Sequence, residues 1–279
     1  MAPSIQKDIM KIPITMSHGI DPANPDPWLS LSREHFEDLV RTASEMGFQS
    51  INYNELESWR KGTGRLPSRP IMFDFDHPMK SMRYAVNDIL AAYGYKGNLF
   101  VNTGMLDKVH SSLYPPDSKL EIMTWDELGQ LKDMGWHIGS HTVTHPSLSR
   151  LGVDDPGGMR IRQELEQCDA RLKSRLGVTS RDFAFTGTSW SKVAEDEVAR
   201  RYRFGRLWII GSQYDADGRK IRFADLVGSK APDEADGGPP MDTRYITKTT
   251  HPYRLPSVEI QSSLIATVDA FRKYLEGAL

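Results

Sequence analysis

The sequence contains very little cysteine. Its 279 residues include a single one, Cys168, so the chain cannot form an internal disulfide and no disulfide framework holds the fold. Cys168 falls in an amphipathic segment, where the simplest interpretation is a buried structural thiol. The fold must therefore depend on a hydrophobic core, and hydrophobic residues, at 39% of the chain, supply material for a large one.

Long apolar runs and an excess of charge of one sign are also missing. No run reaches the roughly 18 apolar residues of a membrane span, and the N-terminal segment MAPSIQKDIMKIPITM lacks the apolar core of a signal peptide. We therefore expect a cytoplasmic protein, or an extracellular or periplasmic one if an export signal has been removed. With 35 Lys and Arg against 37 Asp and Glu the net charge is -2, which argues against a nucleic-acid partner and against binding to an anionic membrane surface.

Short apolar runs alternate with longer amphipathic segments, which predicts β/α units in one domain spanning residues 1–279. The runs are mostly continuous, as in strands that are buried on both faces. The candidate strands are Ile12–Met16, a run near Ser50–Asn52, Pro70–Phe75, Asn98–Val101, His137–Ser140, Asp182–Phe185 and Leu207–Ile210. The candidate helices are Ser32–Met46, Met82–Tyr93, Trp125–Met134, Met159–Leu176, Ala194–Tyr202 and Ser262–Glu276. A polar stretch at about 211–250 predicts a long surface excursion, after which the chain returns at Tyr253–Ile260.

Two histidines follow the candidate strand His137–Ser140. His141 and His145 are four residues apart, so on a helical turn both imidazoles share one face and reach a single point beyond the strand end. A metal ion is the natural occupant of that point. The alternative is a structural or surface histidine pair, which is common.

Two aspartates end the most hydrophobic candidate strand. Asp74 and Asp76 lie in the run Phe73-Asp74-Phe75-Asp76-His77-Pro78, where carboxylates are costly unless they are paired, metal-bound or solvated at a site. Strand alternation puts both on one side and Phe75 on the other. The alternative is an aspartate-rich turn, or a helix N-cap formed by Asp76. Because this motif and the histidine pair both lie at strand ends, where β/α folds gather their active sites, the two together favour a site.

Together these motifs resemble those of the polysaccharide deacetylase family, also called carbohydrate esterase family 4 or the NodB homology domain. The resemblance rests on Phe73–Asp76 and on His141–Pro146 followed by Leu148–Leu151. The opening of the chain is similar to the poly-N-acetylglucosamine deacetylase branch at Ile12–Gly19, Leu31, Ser32, Phe36, Gly47, Phe48, Tyr53, Leu66 and Pro67. Phe183–Gly187 is similar to a degraded third motif, so the resemblance extends over residues 11–210.

The resemblance implies a distorted (β/α)7 barrel of the NodB type. It also implies a metal-dependent hydrolase that removes N-acetyl or O-acetyl groups from an aminosugar-containing oligo- or polysaccharide. In that case Asp76, His141 and His145 bind a divalent metal and Asp74 is the catalytic base. Three protein ligands leave coordination positions open for hydrolysis. Zinc is the first choice of metal, and cobalt, nickel or ferrous iron fit the same geometry.

The first motif departs from the adjacent aspartates that are commonest in the family. One register takes Asp74 as base and Asp76 as ligand; the other takes Asp76 as base and places His77 at the ligand position. We prefer the first because strand alternation aims the two aspartates together. The spacing to the next helix fits the second without a gap.

The proton donor and the third motif also depart from the family pattern. The histidine of the family's C-terminal Leu-His motif is missing. Because the resembled branch places this acid at the end of the first strand, His18 is our candidate general acid, with His251 in reserve. The third motif implies an oxyanion-stabilising N–H near Gly187. In this chain the third motif has no arginine. Arg254 is a candidate to replace it; the alternative is that Arg254 is an ordinary solvent-exposed arginine. Trp190, beside the motif, is a candidate substrate wall or simple packing.

Two other functions remain open on the sequence alone. The first is a metal-dependent amidase or imidase acting on a small non-sugar substrate, which fits the missing export signal. The second is a catalytically silent carbohydrate-binding barrel. The complete set of Asp74, Asp76, His141 and His145 argues against the silent barrel, because a buried, unpaired carboxylate has no reason to persist without a metal.

Overall fold

Strands and helices alternate along the chain in the predicted order. The computed structural model describes residues 10–20, 31–187, 189–209, 221–222, 240–241, 244–260 and 267–279. Its strands are β1 Ile12–Ser17, β2 Gln49–Ser50, β3 Pro70–Asp76, β4 Asn98–Val101, β5 His137–Ser140, β6 Asp182–Ala184, β7 Phe204–Ile209, β8 Ile221–Arg222, β9 Pro240–Met241, β10 Tyr245–Ile246 and β11 Leu255–Glu259. Its helices are α1 Arg33–Glu45, α2 Tyr53–Arg60, α3 Asn87–Ala92 preceded by a π-helical turn at Met82–Val86, α4 Thr103–Leu106, α5 Trp125–Asp133, α6 Leu148–Asp154, α7 Met159–Leu176, α8 Lys192–Ala199 and α9 Val268–Glu276. The predicted elements are confirmed with shifted ends, and α2, α4 and α6 are additional to them.

Seven parallel strands close into a barrel. Around the ring the order is β1, β3, β4, β5, β6, β7 and β11, and β11 pairs again with β1. The register puts Thr15 of β1 beside both Phe73 and Val258, so β1 completes the ring. The short strand β2 pairs with the start of β3, and β10 runs antiparallel to the start of β1. The predicted distorted (β/α)7 barrel is therefore confirmed.

Burial on both faces explains the continuous apolar runs of these strands. Every residue of β1 and β3 is buried. Phe75 of β3 points outward, where its ring contacts Phe36 of α1 and Trp136. Asp74 and Asp76 both contact Arg206 of β7, which is not a neighbour of β3 in the sheet, so they point into the barrel. The predicted alternation along β3 is thus observed.

The carboxyl ends of the parallel strands lie together at one end of the barrel, here called the carboxyl face, and their amino ends form the amino face. Helices begin on the carboxyl face with capping residues; Thr124 and Glu127, for example, form a reciprocal capping box at the start of α5. Loops on the carboxyl face that connect strands to helices are therefore where polar side chains gather.

Only part of the polar stretch at 211–250 belongs to the described residues, namely 221–222, 240–241 and 244–250. Strands β8 and β9 form a short antiparallel ladder there. The remainder of the predicted excursion, and the start of the last predicted helix at 262–266, lie outside the described residues. Within the described ranges, no helix combines the length and the apolar character needed to cross a bilayer.

Candidate metal centre

Three histidines meet at the carboxyl face of the barrel. His77 directly follows β3, and His141 and His145 follow β5. Each offers a ring nitrogen, and these nitrogens lie within 4.8 Å of one another. His77 and His141 are buried and His145 is half-buried. These three residues, hereafter the histidine cluster, are close enough to bind a single ion.

The backbone around the histidine cluster enters the left-handed region. The φ angles are 67° at His77, 70° at Thr142 and 56° at His145. Residues other than glycine adopt such angles at a cost of roughly 1–2 kcal/mol each, so surrounding contacts must hold them in place. The prediction that His141 and His145 share a helical turn is wrong, because positive φ values interrupt a helical path and the segment 141–146 is a loop.

Glu164 of α7 holds this loop. Its Oε2 accepts hydrogen bonds from the backbone N–H groups of Val143 at 2.8 Å and Thr144 at 3.0 Å, and its Oε1 accepts from the Thr144 hydroxyl at 2.6 Å. Within the loop, the hydroxyl of Thr142 accepts from the N–H of His145 at 3.0 Å. The strained loop is thus tied both to the helix layer and to itself.

Oxygen atoms behind the rings determine which nitrogens face the cluster. His141 Nδ1 lies 2.8 Å from the carbonyl oxygen of Ala184, which only accepts, so Nδ1 carries the proton. His77 Nδ1 is bonded to the side-chain oxygen of Asn102. The Nε2 atoms of His77 and His141 are buried and have no hydrogen-bond partner among the described residues. An unpaired buried acceptor is costly, whereas a metal ion binds that lone pair, so these residues fit a metal ion.

Burial also keeps the histidine cluster uncharged. It lowers the pKa of His141 to about 4 and the pKa values of His77 and His145 well below their ordinary value. For His77, positive charge on His18 or His141 lowers the pKa further. Neutral imidazole is the form that binds a metal ion, so the protonation state of the cluster suits a metal centre.

Asp76 lies beside the histidine cluster but outside the group of ligand atoms that converge. One of its carboxylate oxygens is bound by the guanidinium of Arg206, and the other lies 3.9 Å from Nε2 of His141. Burial opposes its ionisation, but the fully buried Arg206 and then His141 outweigh that effect and hold the pKa of Asp76 at about 2. Asp76 is therefore an ionised carboxylate facing the cluster, which is the form that accepts a proton.

Asp74 lies deeper in the barrel, two residues earlier on β3. Its carboxylate accepts hydrogen bonds from the Tyr53 hydroxyl at 2.5 Å and the Asn98 amide at 2.9 Å, and it lies 3.3 Å from Nε of Arg206. Burial raises the pKa of Asp74 to about 7, against the opposing effect of Arg206. These contacts place Asp74 to hold Arg206, which in turn holds Asp76.

His18 reaches the histidine cluster from the end of β1. Its ring stacks on His77 with the centroids 5.0 Å apart, and Trp208 meets it edge-on at 5.5 Å. Its Nδ1 lies 3.5 Å from Oε1 of Glu259, because the pairing of β1 with β11 sets Met16 beside Glu259. His18 is thus positioned at the cluster, and its role as general acid stays a prediction.

Gly187 of the third motif also adjoins the cluster. Its φ angle is 53°, and a Cβ at this position would lie 3.9 Å from Cε1 of His145. A backbone at this position can offer an N–H to a reacting carbonyl without a side chain in the way. Gly187 therefore lies beside the histidine cluster, and its oxyanion-stabilising role stays a prediction.

The other candidates from the sequence lie elsewhere. Trp190 is buried and donates its indole N–H to Glu195 at 3.1 Å, and Arg254 binds the same carboxylate at 2.7 and 3.0 Å while lying over the indole ring. Arg206, rather than Arg254, contacts the aspartates. His251 is exposed in the turn before β11, towards the amino face. The structure thus brings Trp190, Arg254 and His251 together with other groups and not with the histidine cluster.

A sequence comparison identifies the family. The profile described as polysaccharide deacetylase matches residues 63–203, about half of the chain. This range contains Asp74, Asp76 and all three histidines of the cluster. The protein belongs to the polysaccharide deacetylase family. Its members are hydrolases of acetylated saccharides, so the family resemblance seen in the motifs is confirmed.

Solved deacetylase structures share the fold of this family member. The Streptococcus pyogenes deacetylase PplD, solved in complex with acetate, superposes with a TM-score of 0.70 at 16% identity over 96% of this chain and 99% of that one. IcaB from Ammonifex degensii gives 0.67 at 16% identity over 96% and 97% of the two chains. The BpsB deacetylase domain from Bordetella bronchiseptica gives 0.62 at 17% identity over 90% and 96%. A comparison with curated protein sequences found no match.

The sequence motifs did not indicate Arg206, Asn102 or Glu164. Two of them carry a signal in the sequence. Arg206 is a charged residue inside the otherwise apolar strand β7, which needs a buried partner, and Asn102 follows β4, whose end lies between the ends of β3 and β5. Glu164 carries none, because a glutamate in a helix is ordinarily exposed.

Proposed function

We propose that this protein is a metal-dependent deacetylase that hydrolyses N-acetyl groups of an aminosugar-containing oligo- or polysaccharide, with O-acetyl groups as related substrates. The observation that carries the proposal is the histidine cluster. Among the described residues, two of its buried Nε2 atoms have no hydrogen-bond partner, and an ionised Asp76 lies beside them. A divalent ion satisfies the nitrogen lone pairs and balances the nearby carboxylate.

We assign the ion to His77, His141 and His145, with zinc as the first choice and cobalt, nickel or ferrous iron as alternatives. Three neutral nitrogen donors leave an open coordination position, as catalytic zinc sites require. When bound, the ion supplies Lewis-acid activation of water and of the acetyl carbonyl. This assignment follows the second of the two registers of the first motif, in which His77 is the ligand.

In the same register Asp76 is the catalytic base in place of Asp74. Its free oxygen faces the cluster at 3.9 Å from His141 Nε2, whereas the carboxylate of Asp74 is engaged by Tyr53 and Asn98. Asp76 accepts the proton of the attacking water, and Arg206 keeps the carboxylate ionised and oriented.

His18 supplies the proton that the departing amine nitrogen needs. The carboxylate of Glu259 lies 3.5 Å from Nδ1 of this ring, where it favours the protonated imidazole that can donate. The backbone near Gly187 stabilises the oxyanion of the acetyl group from beside His145. In this proposal Asp76, His18 and the backbone near Gly187 all act on the same acetyl group.

The proposal is tested by metal analysis of protein purified without chelator, together with acetate release from N-acetylglucosamine oligomers and from acetyl esters. We expect close to one equivalent of metal per chain and acetate from the oligomers. His141→Ala should lose both. His251→Ala is the matched control, because this histidine is exposed and lies in the turn before β11, and it should retain both.

Each contrary result points to one of the other functions. Stoichiometric metal without acetate from any saccharide or ester would favour an amidase or imidase acting on a non-sugar substrate. Absence of metal from the wild type, with no change in His141→Ala, would leave the silent carbohydrate-binding barrel.

A further inference from the structure

Asn102 connects two histidines of the cluster through one side chain. It is fully buried and directly follows β4. Its Nδ2 donates to the carbonyl oxygen of His141, and its Oδ1 is bonded to Nδ1 of His77. A longer contact of 3.4 Å joins Nδ2 to the hydroxyl of Thr142. The amide thus joins the two chain segments that carry the cluster.

Strand pairing brings Asn102 to this position. Beyond the end of β3, the N–H of His77 donates to the carbonyl of Phe100 at 3.1 Å, and beyond the end of β5 the N–H of His141 donates to the carbonyl of Val101 at 3.2 Å. The chain leaving β4 therefore passes between the two histidines. The next residue, Asn102, is within reach of both.

The chemistry of the amide allows only one arrangement of these bonds. A backbone carbonyl accepts and never donates, so the oxygen of His141 must face the NH2 group of Asn102. The amide oxygen then faces His77, whose Nδ1 must carry the proton. Nε2 of His77 is left with its lone pair directed away from Asn102. The orientation of one amide therefore sets the tautomer of the histidine on the neighbouring strand.

We propose that Asn102 is a positioning residue of the metal centre. It holds His77 in the tautomer that binds metal through Nε2, and it ties that residue to His141 across the strand between them. This inference rests on the proposed function, in which His77 is a ligand. It also explains how a non-glycine residue at φ 67° is kept in place, since both the ring and the backbone N–H of His77 are bonded to the chain around β4.

The experiment compares the Zn²⁺ dissociation constants of wild type, Asn102→Ala and Asn102→Leu by competition with a chelator. Loss of a residue that orients a metal-binding histidine typically weakens binding by roughly 10- to 100-fold, and we expect this for both variants. Leucine keeps the volume of the side chain, so it remains informative if alanine impairs folding. Nitrogen NMR of the metal-free proteins supplies a second measurement: His77 should be protonated on Nδ1 in wild type and shift towards the Nε2-protonated form in both variants.

Asn98→Ala is the matched control. Asn98 lies at the other end of the same strand, is equally buried, and bonds to Asp74 and to the carbonyl of Ile51 rather than to a histidine of the cluster. Its removal should leave the Zn²⁺ dissociation constant unchanged. Thermal unfolding of each metal-free variant verifies that the barrel is folded.

A double-mutant cycle with His77→Ala separates the inference from the proposed function. We expect most of the effect of Asn102→Ala to vanish in the His77→Ala background, because the contact to this ligand is already gone. The inference would be overturned if Asn102→Ala weakened Zn²⁺ binding equally in the wild-type and His77→Ala backgrounds. It would also be overturned if both Asn102 variants kept the wild-type Zn²⁺ affinity and the wild-type His77 tautomer. Neither result would contradict the metal centre itself. Full Zn²⁺ affinity in His77→Ala alone would instead refute the three-histidine assignment on which the inference depends.

Discussion

Both ends of the barrel bury polar groups, but the two ends differ in whether those groups are paired with other side chains. At the amino face, Arg203 forms two hydrogen bonds with Asp182, at 2.9 and 2.8 Å, and further bonds with Glu57 and Asn54. At the carboxyl face, the buried Nε2 atoms of His77 and His141 have no hydrogen-bond partner among the described residues. The charged side chains at the amino face are therefore paired with one another, whereas the nitrogen lone pairs at the carboxyl face are available to bind a ligand.

The backbone repeats this contrast. Among the described non-glycine residues, positive φ occurs at His77, Thr142, His145 and Lys108, and the first three lie in the segments that form the cluster. Strain and unpaired polar atoms at the same place reduce stability, so their coincidence at the carboxyl face indicates function there. The paired charges of the amino face indicate a structural role. Three changes test this division, and a fourth, at a carboxylate of helix α7, gives a stability effect for comparison.

The largest effect is expected from the carboxylate beside the histidine cluster. Asp76→Asn removes the proposed proton acceptor, and we expect turnover to fall by roughly 10³-fold while metal content stays intact, since general bases contribute on the order of 10²- to 10⁴-fold. Acetate release and metal analysis measure the two outcomes. Asp74→Asn is the comparison and should lose less activity. Loss of metal in Asp76→Asn, with a stronger loss of turnover in Asp74→Asn, would restore the register in which Asp74 is the base.

The next effect is on stability, at the amino face. Asp182→Asn breaks its buried pair with Arg203, and removing one partner of such a pair costs about 3 kcal/mol in the free energy of unfolding. Denaturant unfolding measures this loss, and turnover per folded molecule should not change. Lys192→Ala removes an exposed pair with Asp196 and should cost less than about 1 kcal/mol. A fall in turnover in Asp182→Asn without loss of stability would contradict the division between the two faces.

A smaller effect is expected from the proposed proton donor, and it should depend on the leaving group. His18→Ala should slow acetate release from N-acetylglucosamine oligomers by roughly 10²-fold, because the amine must be protonated as it departs. Hydrolysis of 4-nitrophenyl acetate, whose phenolate leaves without a proton, should be nearly unaffected. Steady-state rates with both substrates provide the measurement. Equal losses on both would assign His18 a structural role.

The smallest effect is expected from Asp169 of α7, whose carboxylate accepts a hydrogen bond from the Tyr202 hydroxyl. Burial raises the pKa of Asp169 to about 6, against opposing effects of Tyr202 and Arg201. The folded state therefore prefers the protonated acid, and this contribution to stability is lost as the pH rises from about 4 through about 6. Asp169→Asn keeps an acceptor for the Tyr202 hydroxyl and cannot ionise. We expect it to be about 1–2 kcal/mol more stable than wild type at pH 8.

Denaturant unfolding of the Asp169 variant at a series of pH values checks the direction of this effect. The advantage over wild type should shrink as the pH is lowered through about 6 towards about 4. A constant difference across that range would mean that the ionisation of Asp169 is not its cause. Turnover per folded molecule should be the same as in wild type at every pH, because burial of the Asp169 carboxylate affects stability and not catalysis.

Much of the fold could be predicted from local pattern. Continuous apolar runs and amphipathic segments marked the barrel strands and most helices, because a strand covered on both faces has no polar side to display. Short helices such as α4 were missed, since four residues are too few to show a period. Strand alternation predicted that Asp74 and Asp76 share one side of β3, and the structure shows that this side faces the barrel interior. The assumed helical turn at His141 failed because positive φ values cannot be read from spacing.

By itself the sequence determined the class of fold and which chain segments carry the chemistry, because hydrophobic period and polar residues at strand ends are local properties. Only the tertiary structure decided how those residues combine: it grouped His77 with His141 and His145, and it brought Arg206 across the barrel to the aspartates. The physical reason is that hydrogen bonds and ion pairs between non-adjacent strands depend on how the ring closes. That closure is set by the packing of the whole chain and leaves no mark in a short stretch of sequence.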